Sequence, residues 1–211
     1  MKIVMQGYSG KMGSIVYDYL KNKEYNFISL IDETHKIQEE KIAQCDVIID
    51  FSIPFAALNL FKYAIKYHKP IIIGTTGFSK SELNFMEVSS LEAGISAYVV
   101  YNFLNSIQKI KELIDDLSTN ATSIYLEEKH HKSKLDKPSG TAKYLLKDVN
   151  KEVHILSKRL DNFIYEHKIE INNEFESIEI THKCYNKLGY AKGVEKALSN
   201  INKFKGVKYY I

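Results

Sequence analysis

Residues that could carry acid–base chemistry are concentrated between Glu127 and Ala142, in the run Glu-Glu-Lys-His-His-Lys-Ser-Lys-Leu-Asp-Lys-Pro-Ser-Gly-Thr-Ala. Histidine exchanges protons near neutral pH, and Lys134 can supply a fixed positive charge or a proton. A helix-like run follows the Pro-Ser-Gly-Thr turn, and the N–H groups at a helix start attract anions, while Gly140 lets a ligand approach the backbone. The segment predicts a carboxylate or phosphate pocket with acid–base chemistry. A solvated basic loop before a helix is the alternative.

A second candidate site lies near the start of the chain. An apolar run at residues 2–5 leads into Gly7-Tyr8-Ser9-Gly10-Lys11-Met12-Gly13 and then into a helix-like run. A strand, a glycine turn and a helix in this order can hold a dinucleotide pyrophosphate, because glycines permit the tight turn and keep Cβ atoms away from the ligand. Ser9 stands where the usual Gly-x-Gly-x-x-Gly pattern has its middle glycine, so a plain turn between strand and helix stays open as an alternative.

The acids Asp32 and Glu33 follow the second strand-like run, about where a dinucleotide fold holds the adenosine ribose hydroxyls. An acid at this place without a neighbouring arginine favours NADH over NADPH. The preference is slight, because Lys36 is close enough to meet a 2′-phosphate.

The elements that must position these residues alternate between strands and helices over the first half of the chain. Strand-like apolar runs lie at residues 2–5, 26–31, 46–51, 71–73 and 95–100. Helix-like runs lie between them at residues 15–20, 55–67 and 80–92. This alternation predicts an α/β fold with a Rossmann-like, doubly wound parallel sheet. Gly74-Thr75-Thr76-Gly77 then lies at the sheet edge where ligands dock.

After residue 118 the pattern changes to extended segments, at residues 123–128, 152–156, 163–171 and 174–182. The last two flank Asn172-Asn173, a hairpin signal whose asparagines tolerate positive φ. The pattern predicts a second, smaller α+β domain with mostly antiparallel strands, whose buried sheet face is covered by its own helix or by a second subunit. We expect a dinucleotide-binding domain at 1–104 plus 183–211, including a helix at 190–204 and a strand at 206–211. A substrate-binding and oligomerisation domain is expected at 105–182.

Composition excludes several other classes. The 211 residues are 45% hydrophobic and 26% charged, with a net charge of +3, which fits an ordinary globular protein. The balanced charge and the presence of a single arginine, Arg159, argue against nucleic-acid binding. Cys45 and Cys184 form no recognisable framework, and neither a signal peptide nor an apolar run of membrane-spanning length is evident. We expect a cytoplasmic protein that binds no membrane.

A metal site could be imagined from His130-His131 together with Glu127, Glu128 and Asp136. Adjacent histidines on a strand point to opposite faces and chelate poorly, so no metal is predicted. The other five histidines are isolated in sequence and are expected to be surface or packing residues: His35, His68, His154, His167 and His182.

Taken together, the motifs resemble the dihydrodipicolinate reductase family. The residues that carry the resemblance are Gly7-x-x-Gly10-x-Met12-Gly13, Asp50-Phe51-Ser52, Gly74-Thr75-Thr76-Gly77, Asn102-Phe103 and Glu128-x-His130-His131-x-x-Lys134-x-Asp136-x-Pro138-Ser139-Gly140-Thr141-Ala142. The resemblance implies a 4-hydroxy-tetrahydrodipicolinate reductase of lysine and diaminopimelate biosynthesis, usually a homotetramer. Such an enzyme transfers a hydride from NADH or NADPH to a cyclic unsaturated dicarboxylate imine.

The resemblance also implies roles for matched residues. The catalytic residues would be His130, a proton donor or acceptor, and Lys134, a proton donor. Substrate-binding residues would be His131, Ser139, Gly140 and Thr141. Cofactor-binding residues would be Gly7, Tyr8, Ser9, Gly10, Lys11 and Met12 at the pyrophosphate, Asp32 or Glu33 at the ribose, and Gly74, Thr75, Thr76, Val100, Tyr101, Asn102 and Phe103 at the nicotinamide.

This chain departs from the family pattern at three places. Leu104-Asn105-Ser106 replaces the usual Ser-x-Gly, the connections after Glu33 and Asn150 are short, and Arg159 lacks its companion glycine. Arg159 could hold a substrate carboxylate or form a structural ion pair. A non-catalytic nucleotide-binding regulatory homologue therefore stays open as an alternative function. A different dehydrogenase, of the aspartate-semialdehyde or the dinucleotide-dependent amino-acid type, also stays open. The former needs a nucleophilic cysteine at a helix start, and neither Cys45 nor Cys184 lies in such a context.

Overall fold

The computed structural model describes residues 1–132, 134–161 and 165–209. It divides into two compact units: unit 1 comprises Met1–Phe103 with Leu188–Ile211, and unit 2 comprises Leu104–Lys187. The domain boundaries expected from the sequence stay a prediction.

Unit 1 contains a parallel sheet of six strands. They are β1 (Lys2–Gln6), β2 (Asn26–Ile31), β3 (Val47–Asp50), β4 (Ile71–Ile73), β5 (Ser96–Val99) and β10 (Gly206–Lys208), in the spatial order β10-β5-β4-β3-β1-β2. The chain runs outward in one direction from β1 to β2 and in the other from β3 onward. This reversal places a crevice at the carboxyl ends of β1 and β3, where ligands of open α/β sheets bind.

Helices cover both faces of this sheet. They are α1 (Gly13–Lys21), α2 (Glu39–Gln44), α3 (Pro54–Lys66), α4 (Lys80–Glu92) and α7 (Leu188–Asn200), which a short 3₁₀ turn (Ile201–Lys203) extends. Along β1, Ile3 and Met5 join one core cluster and Val4 joins the other, so the strand is buried on both faces. The predicted Rossmann-like class is confirmed.

Unit 2 contains a four-stranded mixed sheet with two helices. The strands are β6 (Ser123–His131), β7 (Glu152–Leu160), β8 (Tyr165–Asn172) and β9 (Ser177–Cys184), in the order β7-β6-β8-β9, and the helices are α5 (Asn105–Ser118) and α6 (Gly140–Leu145). Two of the three pairings are antiparallel, whereas β6 and β7 are parallel neighbours joined through α6. The two helices supply apolar residues to the core on one face of the sheet.

Several predicted bounds are wrong in detail. Strand β6 continues to His131 and β7 to Leu160, so the histidine pair and Arg159 are strand residues. The predicted helix at 190–204 begins at Leu188 and ends at Asn200. The predicted strands at 163–171 and 206–211 include residues 163–164 and 210–211, which lie outside the described residues.

The hairpin between β8 and β9 forms by a mechanism other than the expected one. Among the described residues, positive φ outside glycine occurs only at Glu24, His68 and Asp148. The Asn173 side chain instead accepts hydrogen bonds from the backbone N–H groups of Phe175 and Glu176, at 2.8 and 2.9 Å. An asparagine side chain therefore closes this turn, without a left-handed backbone.

No helix among the described residues is both long and apolar enough to span a membrane.

Candidate active site

The glycine turn of unit 1 is shaped by close backbone packing. Gly7 has φ of 75°, and a Cβ there would lie 2.4 Å from the carbonyl oxygen of Phe51. A Cβ on Gly13 would lie 1.9 Å from the carbonyl oxygen of Gly7. Since no side chain caps the start of α1, its N–H groups suit a pyrophosphate. The residues present therefore fit a dinucleotide.

Asp50 connects the end of β1 with the segments after β3 and β4. Its carboxylate is fully buried and accepts hydrogen bonds from Gln6 at 2.8 Å, Ser52 at 2.5 Å and Thr75 at 2.5 Å. Burial raises the pKa of Asp50, although these hydrogen bonds act in the opposite direction. The hydroxyl of Thr75, one of the predicted nicotinamide residues, therefore donates its hydrogen bond to Asp50. The sequence did not suggest this anchoring role of Asp50.

Two aromatic rings lie at the predicted nicotinamide end. The rings of Phe51 and Phe103 are 5.6 Å apart between centroids. A Cβ on Gly74 would lie 2.2 Å from the Phe51 ring. The predicted residues follow β4 and β5, with Thr75, Val100 and Phe103 buried, Thr76 exposed, and Tyr101 and Asn102 half-buried. Because the strands are parallel, these residues share the sheet edge with the glycine turn.

The predicted ribose acid Asp32 follows β2. Its Oδ1 accepts the N–H groups of Thr34 and His35, both at 2.9 Å, and also contacts both side chains. The backbone hydrogen bond from His35, together with the other hydrogen bonds from these two residues, holds the pKa of Asp32 well below its usual range. Glu33 is exposed. A depression of about 590 Å³ lies beside this turn, lined in part by Tyr8, and its volume suits a nucleotide moiety.

The predicted catalytic histidine of unit 2 lies on β6, which alternates between a buried and a half-buried face. Glu128 and His130 are on the buried face, where Glu128 is opposite His167 of β8. Nδ1 of His130 is 3.6 Å from Oε2 of Glu128. The rings of His130 and His167 are 5.3 Å apart, and those of His167 and His182 are 5.8 Å apart.

Burial controls ionisation in this histidine cluster. It lowers the pKa of His130 to about 4 against the opposing charge of Glu128, and the pKa of His167 to about 3. Burial also acts to raise the pKa of Glu128, but hydrogen bonds from Ser139 and Ser157 and nearby positive charges leave it below its ordinary value. At neutral pH the cluster therefore contains an ionised carboxylate and neutral imidazoles.

Asp136 lies close to Lys134 and is influenced by Gly140. Nζ of Lys134 is 2.8 Å from Oδ1 of Asp136, and the backbone N–H of Gly140 acts to lower the pKa of this carboxyl group. Burial acts to raise the pKa of Asp136, yet the hydrogen bond and charge of Lys134 outweigh it and leave the pKa low. Ser139 is the N-cap of α6, since its Oγ accepts the N–H of Ala142 at 3.1 Å.

The remaining predicted substrate residues differ in position. Thr141 is buried within the first turn of α6. The alternation of β6 places His131 on the face opposite His130, where it is half-buried. The structure therefore brings together His130, Lys134 and the Ser139–Thr141 turn within one unit, and separates His131 from His130.

His167 and His182 are separate in the sequence, but the strand pairing and ring contacts bring both into one cluster with His130. Arg159 forms an ion pair, the second of the two roles considered for it: Nη2 lies 3.0 Å from Oε1 of Glu128. No sequence signal identified either feature, since both depend on which strands pair and in what register.

Among the described residues, one group of side chains could hold a metal ion. One ligand atom each from Glu128, His130 and His167 lies within 4.8 Å of the others. This group shares Glu128 and His130 with the set considered from the sequence, but His167 replaces the other members. The Arg159 guanidinium already pairs with Glu128, so a permanent cation is next to the position that a metal would need.

Sequence models of one family match both halves of the chain. The model described as "Dihydrodipicolinate reductase, N-terminus" matches residues 1–103, and the model described as "Dihydrodipicolinate reductase, C-terminus" matches residues 100–210. The chain belongs to the dihydrodipicolinate reductase family. The amino-terminal model of this family covers its NAD(P)H-binding domain, which agrees with the dinucleotide fit of unit 1.

Individual relatives agree with this membership. The 4-hydroxy-tetrahydrodipicolinate reductase of Thermosipho africanus (strain TCF52B) is 34% identical over 93% of this chain and 89% of its own length. The enzyme of that name from Buchnera aphidicola subsp. Cinara cedri (strain Cc) is 29% identical over 99% of this chain and 94% of its own length. A dipicolinate-bound dihydrodipicolinate reductase from Paenisporosarcina sp. TG-14 has the same fold, with a TM-score of 0.79, 19% identity, and coverage of 100% of this chain and 97% of its own.

Proposed function

We propose that this chain is a 4-hydroxy-tetrahydrodipicolinate reductase. It transfers a hydride from NADH or NADPH to a cyclic unsaturated dicarboxylate imine, with loss of water, in lysine and diaminopimelate biosynthesis. Family membership across both halves of the chain and relatives of this name support the reaction.

The arrangement around Asp136 is the observation that carries the substrate assignment. The Asp136 carboxylate pairs with the Lys134 ammonium at 2.8 Å, and the Gly140 N–H acts with this ammonium to lower the pKa of the same carboxyl group. A carboxylate of the substrate has the same shape and charge and can bind the same two donors. We assign substrate binding to Ser139, Gly140 and Thr141. We also assign it to His131, whose side chain must reach the ligand from the other face of β6.

The second assignment concerns the proton. Hydride addition leaves a carbanion-like carbon that must be protonated, and a side chain positioned nearby can do this. Since the pKa of His130 is about 4, its imidazole is neutral at neutral pH and has no extra proton to give. We therefore assign proton donation to Lys134 and, of the two roles considered for His130, that of hydrogen-bond or proton acceptor.

The bound nicotinamide supplies the hydride, and the chain's own residues hold the cofactor. We assign the pyrophosphate to Gly7, Tyr8, Ser9, Gly10, Lys11 and Met12, the ribose to Asp32 or Glu33, and the nicotinamide side to Gly74, Thr75, Thr76, Val100, Tyr101, Asn102 and Phe103. The buried Asp50 supports this edge by binding the last residue of β1 and the segments after β3 and β4. The slight preference for NADH stays a prediction.

A kinetic assay tests the function. NADH and NADPH oxidation are followed with freshly generated cyclic substrate for the wild type, His130→Ala, Lys134→Ala and the exposed-histidine control His154→Ala. We expect turnover in the wild type and the control, and a fall of about 100-fold or more in kcat for Lys134→Ala. Equal rates in all four proteins contradict the assigned roles. NADH binding without wild-type turnover indicates the non-catalytic alternative.

We further propose a homo-oligomer, with the tetramer as the expected form. Strand β7 is an edge strand whose Ile155, Leu156 and Leu160 are exposed by about two fifths, an unusual apolar edge for a monomer. Light scattering at micromolar concentration measures the mass directly. A cytoplasmic location is proposed as well, because free Cys45 and Cys184 fit a reducing compartment.

A further inference from the structure

Arg159 is a buried side chain whose donors are turned toward the segment that carries Lys134. Its Nε donates to the carbonyl oxygen of Lys134 at 3.1 Å, and its Nη2 donates to the carbonyl oxygen of Asp136. Nη1 donates to the carbonyl of Lys158 at 2.9 Å. With Nη2 also bound to Glu128, the guanidinium holds both ends of the Lys134–Asp136 segment by its main chain.

Glu128 connects the same cation to the substrate turn. Its carboxylate is fully buried, lies 3.0 Å from Nη2 of Arg159, and accepts the backbone N–H of Ser139 at 3.1 and 3.2 Å. The ion pair therefore joins two separate pieces of backbone, the Lys134–Asp136 segment and the start of α6. The first piece carries Lys134, which pairs with the carboxylate of Asp136, and the second carries the Ser139–Thr141 turn.

The side-chain type matters at this position. A guanidinium has five N–H donors in a planar fork, whereas an ammonium is a compact point charge. Lysine supplies every other fixed positive side chain in this chain, and Arg159 is the only arginine. The planar fork matters at this position, because Nε, Nη1 and Nη2 each donate a hydrogen bond to the protein.

We propose that Arg159 is a positioning residue for Lys134, and that it acts through the main chain of the Lys134–Asp136 segment with Glu128 as its counter-ion. We assign it no direct bond to the substrate carboxylate, since four of its five N–H donors are engaged with the protein and its charge is paired with Glu128. This inference rests on the proposed function of Lys134 as proton donor.

Two measurements test this role. Hydrogen exchange of the free protein reports the backbone directly, and Arg159→Lys should speed amide exchange across residues 134–141 by about 10-fold while leaving unit 1 unchanged. Steady-state kinetics should show kcat reduced by about 10- to 100-fold. The control Lys109→Met removes an exposed ion pair of α5 and should change neither. Thermal unfolding verifies that each variant is folded.

Combination with Lys134→Ala distinguishes positioning from direct binding. If Arg159 acts through Lys134, Arg159→Lys changes kcat by less than about twofold in the Lys134→Ala background. An independent, multiplicative loss in that background overturns the inference, as does unchanged exchange at 134–141. The double variant Glu128→Gln/Arg159→Met removes both charges of the ion pair, so that neither is left buried without its partner. Its effect on kcat should likewise fall below about twofold in the Lys134→Ala background.

The two failures are distinguishable. A wild-type protein that binds NADH but turns nothing over contradicts the proposed function itself. A wild-type protein with turnover, whose Arg159→Lys variant loses activity independently of Lys134, contradicts only the role of Arg159.

Discussion

The imidazole rings of His130 and His167 pack edge to face, with 5.3 Å between centroids and 72° between ring planes. Neither nitrogen of His167 has a hydrogen-bond partner among the described residues. Burial lowers the pKa of His167 to about 3 and that of His130 to about 4, from 6.5. Protonation of either ring would leave a cation in a buried setting, which ties the stability of unit 2 to pH.

The first prediction follows from this linkage. Below pH 6.5 the unfolded chain takes up protons on these histidines, while the folded chain does not until about pH 4. Their contribution to stability is therefore complete above pH 6.5 and is lost as the pH falls toward 4, by up to about 1.4 kcal/mol per pH unit for each histidine. Guanidinium unfolding at pH 7, 6, 5 and 4.5 measures the slope.

His167→Phe should flatten this slope by about half, because one of the two main proton acceptors of the unfolded state is removed. The control His154→Gln changes a side chain that is 60% exposed and should leave the slope as it is. Identical slopes for His167→Phe and the wild type would show that the buried ring does not couple folding to protons.

Much of unit 1 could be predicted from local sequence, whereas the histidine cluster could not. Strand β1, the glycine turn and α1 are adjacent in the chain, and their spacing already specifies a tight turn between strand and helix. His167 reaches His130 only because β8 pairs with β6 so that Glu128 faces His167. A slip of one residue in that pairing would turn His167 to the other face of the sheet, and no local pattern determines this register.

Arg159 illustrates the same limit. The sequence left its role open between a substrate carboxylate and a structural ion pair, because its partner depends on the parallel pairing of β6 with β7. That pairing places it beside His130 and near Glu128. Composition identified it as the only arginine, but only the tertiary structure shows which groups its donors meet.

The second prediction concerns the glycine turn. Gly13→Ala would place a Cβ 1.9 Å from the carbonyl oxygen of Gly7, and backbone cannot move aside as a flexible side chain can. We expect NADH binding to weaken by more than about 10-fold, because the turn and the start of α1 must separate. Fluorescence titration with NADH measures the dissociation constant.

A matched glycine separates local strain from loss of the site. Gly94 has φ of 62°, and a Cβ there meets nothing within 4 Å. Gly94→Ala should cost about 1–2 kcal/mol of stability from the left-handed backbone alone, with NADH affinity unchanged. If Gly13→Ala bound NADH as tightly as Gly94→Ala does, the packing of Gly13 against Gly7 would not matter for the cofactor.

The third prediction concerns the choice between NADH and NADPH. Lys36 is exposed on the turn after β2, and its Nζ donates to the carbonyl oxygen of Glu33 at 3.2 Å. It borders the depression beside Asp32, where a 2′-phosphate on the ribose would come near a positive charge. An exposed ion pair contributes about 1 kcal/mol at most, so Lys36→Ala should weaken NADPH binding about 3- to 5-fold and NADH binding by less than twofold.

Titrations at low and high salt measure both constants, and the NADPH effect should shrink as salt screens the charge. The control Lys62→Ala removes an exposed lysine of α3 and should affect both cofactors equally. Equal losses for the two cofactors in Lys36→Ala would mean that this lysine does not meet the 2′-phosphate, and the acid at Asp32 or Glu33 would then be the main determinant of the preference.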